Sequence, residues 1–566
     1  MKYFWLILFF STSVPANAGT ILTMEKSEVI WKSGAGRTIT VHAPEVAGQP
    51  GVLRKSDEHE SDAVLEYAVA NGSVSVKISG EKDVLVARVS TAFDRPVTDD
   101  VETVLAFDVD GEPAQQLGLP EQNGVFKVLP VTKMSGAAGK FELGNAANGP
   151  GPALGMPVVG LIFGAEEQQL AVAADPYCGS DFQVQGRRIM VRTTYRGALV
   201  PVTREERTVA LVFHRDGADG TCRAFYRTIP EIEPGAPWTQ GIQLVYYDYL
   251  SEKGAGWFKD LQTLADKIPH QHRGHVALCL HGWYDYFQQY AYDHKTGKLL
   301  DKWTAFPVTC KVPMSLAEMH RRLKFAKNLG FRVLLYFGDG TNSDSGAPNF
   351  HPEYVLKDKN GKTSTGWQAP DSLGKALKMD PGVPELRDWQ RGYLKALLAE
   401  YGRDMDGFVW DETFHIPTNL VSYPDGKPSY ANRAMMGLVG ELAQMTQAYR
   451  QHNPDLVFLA SDNGKTNYAL VAHGTYQDSA MEERHWGPSM FANYRNCLWS
   501  CNWFPLRHAK QNEIAAEEYG LPQGLSNGWD DNCGPNRMPP ELLDAVLQRF
   551  TKNVESNRQR LRYLSP

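Results

Sequence analysis

The 566-residue chain reads as a (β/α)8 barrel preceded by an all-β sandwich. Three observations predict it. From about Ile21 to Arg227, short β-branched runs recur in steps of two. Beyond "IEPGAPW" (Ile232 to Trp238), apolar runs alternate with amphipathic helical stretches. That second region holds eight apolar runs, the number that closes a barrel. The expected boundaries are 1–18 for a leader, 19–235 for the sandwich and 236–566 for the barrel. A doubly wound open sheet is the structural alternative.

The leader comes first. Lys2, the apolar run Tyr3 to Phe10 and the small-x-small triplet Ala16-Asn17-Ala18 have the form of an export signal cut after Ala18. The run is too short to span a bilayer, which takes about 20 residues. The expected location is therefore periplasmic or extracellular, free of the membrane after cleavage. Seven cysteines permit disulfides in that setting, but their spacing makes no paired C-x-x-C set and no metal site is expected.

In the sandwich region, "RTITVHA" (Arg37 to Ala43), "SVSVKISG" (Ser73 to Gly80), "VLVARVS" (Val84 to Ser90), "VLAFDVDG" (Val104 to Gly111), "IMVRTTYR" (Ile189 to Arg196) and "RTVALVFH" (Arg207 to His214) alternate apolar and polar residues. Gly, Asp and Pro punctuate them, as in antiparallel sheets with one wet face. The Gly/Ala/Asn-rich stretch Gly144 to Gly155 reads as a long loop.

The barrel strands are expected at Gly241 to Asp248, His275 to Trp283, Arg332 to Asp339, Asp406 to Glu412, Leu456 to Asp462, Ala469 to Asp478, Cys497 to Trp503 and Pro522 to Trp529. Helices fill the gaps. Ser315 and Glu318 form a capping box ahead of Leu316, Met319 and Leu323, and Gly330 falls where that helix would stop. Pro384 opens a second helix carrying Trp389, Tyr393, Leu397 and Tyr401, which Gly402 closes. Leu543, Val546, Leu547, Phe550 and Val554 mark the last.

Composition narrows the function. Hydrophobic residues make up 42% and charged residues 22%, a globular balance, and the net charge of -7 offers no basic face for nucleic acid. There is no phosphate-binding loop, no H-E-x-x-H and no G-x-S-x-G. What the chain does have is polar and aromatic strand ends, where barrel enzymes keep their chemistry. They include Tyr246, Tyr247 and Asp248; His281 and Trp283; Asp339 and Asn342; Asp411 and Glu412; Asp462; Asp478; and Trp529. Flat rings stack on sugars while carboxylates and amides bind hydroxyls, and glycoside cleavage needs two carboxyl groups, one ionised and one protonated. On that reading Trp283, Trp367, Trp410 and Trp529 are candidates for a sugar platform, and Lys465 and Arg484 for contacts to hydroxyls or an acidic substituent. His281 and His415 lack metal spacing and are expected at most to orient neighbours.

The segment Met379 to Glu412, "MDPGVPELRDWQRGYLKALLAEYGRDMDGFVWDE", resembles the approach to the fourth strand in retaining α-glycosidases of the melibiase-like clan, the α-galactosidases and α-glucosidases. The resemblance extends loosely over Gly241 to Trp529 and to the order of sandwich and barrel. It implies Asp411 as nucleophile and Asp478, two strands on, as acid/base, with Glu482, Glu483 and Asp462 as substitutes. It also implies hydroxyl contacts from Asp285 and Asp339. Val409 and Asp411 share a strand face, which agrees with the first assignment and turns Glu412 aside or onto the next helix.

Two features depart from the clan: "WDETFH" stands where W-x-D-M-N is usual, and the chain stops at Pro566, where a further β domain is usual. The expectation is thus a retaining, exported α-glycosidase acting on an oligosaccharide or glycoside, with no redox or group-transfer cofactor. The alternatives are a carbohydrate-binding barrel without catalysis, and a transglycosylase or endo-acting enzyme on complex glycans.

Overall fold

The computed structural model describes residues 21–557 except 26, 60, 123, 134–136, 144–151, 165–167, 249–255, 282, 285–290, 307, 309–310, 367, 369–371, 414–420, 423–427, 463–466, 478–496, 501–508, 519 and 528–533. Antiparallel strands occupy the stretch from Ile21 to His214, in two nine-stranded sheets. One is centred on Asp100–Val109 and Arg188–Arg196, the other on Val202–His214 and Val84–Val97. All six expected runs lie in these strands. Alternation puts Val74, Val76 and Ile78 in the core while Ser75 and Lys77 face outward. The sheets meet face to face: the rings of Trp31 and Phe213 stack with centroids 6.0 Å apart across them. Arg207 donates from the second sheet to the carbonyls of Thr103 and Val191 in the first.

The eight expected parallel strands all form. They are Leu244–Asp248, Val276–Leu280, Arg332–Asp339, Gly407–Asp411, Val457–Asp462, Gly474–Gln477, Cys497–Ser500 and Gln523–Asn527. They pair in sequence order from first to seventh, and the eighth returns to pair with the first. No pairing of the seventh with the eighth occurs among the described residues. The first, second and fourth strands are buried along their whole length, as parallel strands covered on both faces must be.

Helices Gly256–Lys267, Leu316–Asn328, Pro384–Tyr401, Ala431–Ala448, Ala509–Glu517 and Pro540–Glu555 supply the outer cover. Ser315 caps its helix by accepting from the Glu318 amide at 3.1 Å, but the expected capping box is only half made. The Glu318 carboxylate turns to Arg321 and Arg322, because two guanidinium groups outcompete one backbone amide. Gly330 takes a φ of +92°, which a glycine adopts without strain. Among the described residues, no helix is long and apolar enough to cross a membrane.

Asp406 fastens the amino ends of the third and fourth strands. Its buried carboxylate accepts from Lys327 Nζ at 2.8 Å, Arg332 Nη1 at 2.9 Å and the Val333 amide at 2.7 Å. The antiparallel sheets touch the other end of the parallel ones. Arg433, in the first turn of helix Ala431–Ala448, forms a bidentate pair with buried Glu205. Asn467, in the connection after the fifth strand, donates to the Glu142 carbonyl at 3.0 Å. The stem of the expected Gly144 to Gly155 loop is thus anchored near the carboxyl ends of strands four and five, while most of the loop itself lies outside the described residues.

Candidate active site

Register decides which strand-end residues share an interior. Tyr336 pairs with Val409, Gly338 with Trp410 and Asp339 with Asp411, so the third strand carries one extra residue, Phe337. In a regular strand, side chains three apart face opposite sides. The bulge resets that phase and brings both Tyr336 and Asp339 to the face of Asp411. The Tyr336 hydroxyl donates to Asp411 Oδ2 at 3.1 Å. The Glu412 amide donates to Asp411 Oδ1 at 2.7 Å. Asp411 is 3% exposed, as is Asp339 beside it, so two carboxylates sit at adjacent strand ends largely removed from solvent.

The rest of the interior follows the same register. Cys279 pairs with Tyr247, and the His281 ring lies over that of Tyr336 with centroids 3.6 Å apart. Burial drives the His281 pKa well below its ordinary value, so this imidazole is neutral at neutral pH. Burial likewise raises the Cys279 thiol, reinforced by the charges of Asp411 and Asp248, which keeps it protonated. Leu459 pairs with Val409, which puts Ser461 on the same face as Asp411. Ser461 bonds the next turn, accepting from the Thr413 amide at 3.1 Å and, through its carbonyl, from the Thr413 hydroxyl at 2.5 Å.

Glu412 neither caps a helix nor turns to solvent. It sits at φ +50° and accepts from Asn342 Nδ2 at 2.9 Å, 8% exposed. Asn342 belongs to a short ribbon, Asn342–Asp344 against Ala376–Lys378, in which Asn342 pairs with Lys378. Burial lowers the Lys378 pKa, and the Glu412 carboxylate opposes that shift, so the two groups sense one another. Gly340 makes the approach possible: at φ +58°, a Cβ there would come within 2.7 Å of the Glu412 carbonyl.

Trp283 and Trp410 require a correction. Neither offers a ring to a sugar, because both are fully buried. Trp283 packs edge-on against Trp303 and Tyr401, and its indole donates to the Tyr336 carbonyl at 3.3 Å, beside the bulge. Trp410 packs against Phe337 and Phe458, and its indole donates to the Gly340 carbonyl at 2.9 Å. Both tryptophans hold the backbone that presents the carboxylates. Asp248, another polar strand end, faces outward. It accepts from Asn527 at 2.8 Å in a network with Tyr246 and Asp260, and burial pushes the Asp260 carboxyl up.

Several expected site residues lie outside the described part of the protein: Asp285, Trp367, His415, Lys465, Asp478, Glu482, Glu483, Arg484 and Trp529. Asp462 ends the fifth strand, but its side chain is likewise not described. Sequence reasoning missed Tyr336 and Lys378. Period two assigns Tyr336 and Asp339 to opposite faces, and only the bulge overrules it; the three-residue strand holding Lys378 is too short to leave a pattern. Among the described residues, no three His, Cys, Asp or Glu side chains converge as a metal set.

No family model matches the sequence, and no curated protein matches it either. Solved structures do match. A GH36 α-galactosidase from Geobacillus stearothermophilus aligns with a TM-score of 0.56 at 13% identity, covering 96% of this chain and 78% of that one. An α-galactosidase from Lactobacillus brevis aligns at 0.54 and 12%, covering 95% and 74%. A GH31 family sulfoquinovosidase from E. rectale aligns at 0.52 and 11%, covering 95% and 84%. At such identities the likeness establishes a shared fold over nearly the whole chain, antiparallel and parallel regions together.

Proposed function

We propose that the protein is an exported glycoside hydrolase that cleaves α-linked glycosides by a two-step retaining mechanism, on a parallel sheet closed into a (β/α)8 barrel. The observation that carries the proposal is the Asp411 carboxylate, buried at the carboxyl end of the fourth strand and held by the Tyr336 hydroxyl and the Glu412 amide. The structures that share the fold are glycosidases, one of them solved in complex with raffinose. Raffinose-type α-galactosides are therefore the first substrates to try.

Asp411 would attack the anomeric carbon, displacing the leaving oxygen and forming a glycosyl ester. The two donors on its oxygens orient it and favour its ionised form. Asp478 would protonate the leaving oxygen and then take a proton from the water that cleaves the ester. Strand phase supports this choice. Tyr476 pairs with Ser461, on the face of Asp411, and position 478 is two residues further along. Asp339, with Asp285, Trp367, Asp462, Lys465, Arg484 and Trp529, would bind the sugar. Residues 1–18 would be removed on export, which mass measurement of the mature protein tests: an intact Met1 terminus would exclude it.

The test of the chemistry is a screen of aryl α- and β-glycosides with the wild type and Asp411→Ala, followed by azide. The proposal expects turnover of an α-glycoside, loss of it in the variant, and azide rescue giving the glycosyl azide of inverted configuration. A folded Asp411→Ala protein with undiminished turnover would overturn the assignment. Sugar binding without turnover in the wild type would instead favour a carbohydrate-binding barrel.

A further inference from the structure

A second cavity lies behind the ribbon that holds Glu412. Its volume is about 120 Å³, and its walls come from the hairpin after the second strand, the loop after the third strand and the first turns of helix Pro384–Tyr401. Ser343 lines it, one residue from the Asn342 that binds Glu412. Two stacked ring pairs build the walls. His294 lies on Trp389 with centroids 4.7 Å apart and planes 24° apart, and His351 lies on Tyr354 at 4.6 Å and 14°.

The polar atoms of this cavity are what call for an occupant. His294 Nε2 and Trp389 Nε1 are both buried, and neither has a hydrogen-bond partner among the described residues. An orphaned buried donor costs about 1–3 kcal/mol, so native structures rarely keep one without a water or ligand to meet it. Here two occur on stacked rings lining the same space. Glu385, also in the wall, supplies a carboxylate acceptor.

The lining also selects the ligand class. No lysine or arginine lines the cavity, so nothing there balances a phosphate, sulfonate or carboxylate. Burial, with the neighbouring His351, brings the His294 pKa down to about 4, so at neutral pH that ring is uncharged as well. Flat aromatic walls, neutral N–H donors and one carboxylate suit a neutral polyhydroxylated ring. Since a water occupies about 30 Å³ of liquid, the cavity has room for about four, the space of one ring seated in part and not of a chain.

We propose that this cavity binds one neutral sugar ring, as an accessory site separate from the one that holds the reacting sugar. Its ligand class rests on the reading that the protein acts on saccharides. The donors are the indole of Trp389 and the imidazole of His294, with Glu385 as acceptor. Only the short ribbon separates this site from Glu412, and a substrate held there would stay close to the reacting carboxylates.

Calorimetric titration of methyl α-D-galactopyranoside and methyl α-D-glucopyranoside into the full chain carrying Asp411→Asn tests this. Two binding events are expected with at least one probe. Adding Trp389→Phe, which keeps an aromatic ring but removes the donor, should weaken one event about five- to tenfold and leave the other unchanged. His294→Ala in the same background should weaken the same event, and it serves if the tryptophan variant does not fold. A single event, no event, or two events that neither substitution alters would overturn the proposal. The catalytic reading fails separately: without aryl glycoside turnover in the wild type, a Trp389-dependent event still establishes the accessory site.

Discussion

The Tyr336 hydroxyl stands 3.1 Å from Asp411 Oδ2, reaching across from one parallel strand to its neighbour. A hydrogen bond to a charged group is worth about 1.5–3 kcal/mol, and a carboxylate held by it needs no reorientation before it attacks. Tyr336→Phe is therefore expected to lower kcat by about 10- to 100-fold while the KM of an aryl α-glycoside changes much less. Loss confined to KM would place the hydroxyl in substrate binding instead. An unchanged kcat would remove Tyr336 from the site.

Asp406 should matter to stability and not to chemistry, since it lies at the opposite end of the strand from Asp411. Removing one partner of a buried ionic cluster costs about 3–5 kcal/mol. Lys327 and Arg332 are partly exposed and Arg332 retains Asp455, which reduces the cost. The Val333 amide, by contrast, is left with no acceptor. Urea unfolding of Asp406→Ala is expected to show a loss of about 3 kcal/mol, with near-normal turnover by the molecules that remain folded. A loss under 1 kcal/mol would mean the cluster is replaceable.

His214 sets part of the acid sensitivity. It is half-buried at the end of its strand beside Thr221, and burial brings its pKa down to about 4. Unfolded, it titrates near the ordinary value of about 6.5. Between those pH values the unfolded chain takes a proton that the folded one refuses, so stability falls as pH drops from about 6.5 to about 4 and this contribution then levels off. At about 1.4 kcal/mol per unit the loss is at most about 3 kcal/mol. His214→Gln should flatten the unfolding free energy across that window, measured in urea at several pH values. Parallel curves for the two proteins would show that another group is responsible.

The fold was legible because its signals are local. Alternation announced strands such as Gly72–Glu81, and Pro384 with Gly402 bounded a helix whose buried Tyr393, Leu397 and Tyr401 recur every fourth residue. Val158–Ile162 and Gln169–Ala174 were missed because they are buried almost throughout, so their sequences do not alternate. The site was legible only in part. Asp411 was visible as an acid ending an apolar run. The roles of Trp283 and Trp410 were not, since a tryptophan that holds a carbonyl and one that meets a ligand look alike in sequence. Nor was Tyr336, whose facing depends on a break in strand regularity that Arg332 to Asp339 does not advertise.

That irregularity at Phe337 works like a half-turn inserted in a ribbon. Below it the strand's inward residues are filler; above it they are reagents. A chain lacking this one residue would still have eight strands and their helices, yet Asp339 would point into the helix layer, away from Asp411. Shortening by a single codon would thus part a working molecule from an inert look-alike of the same shape.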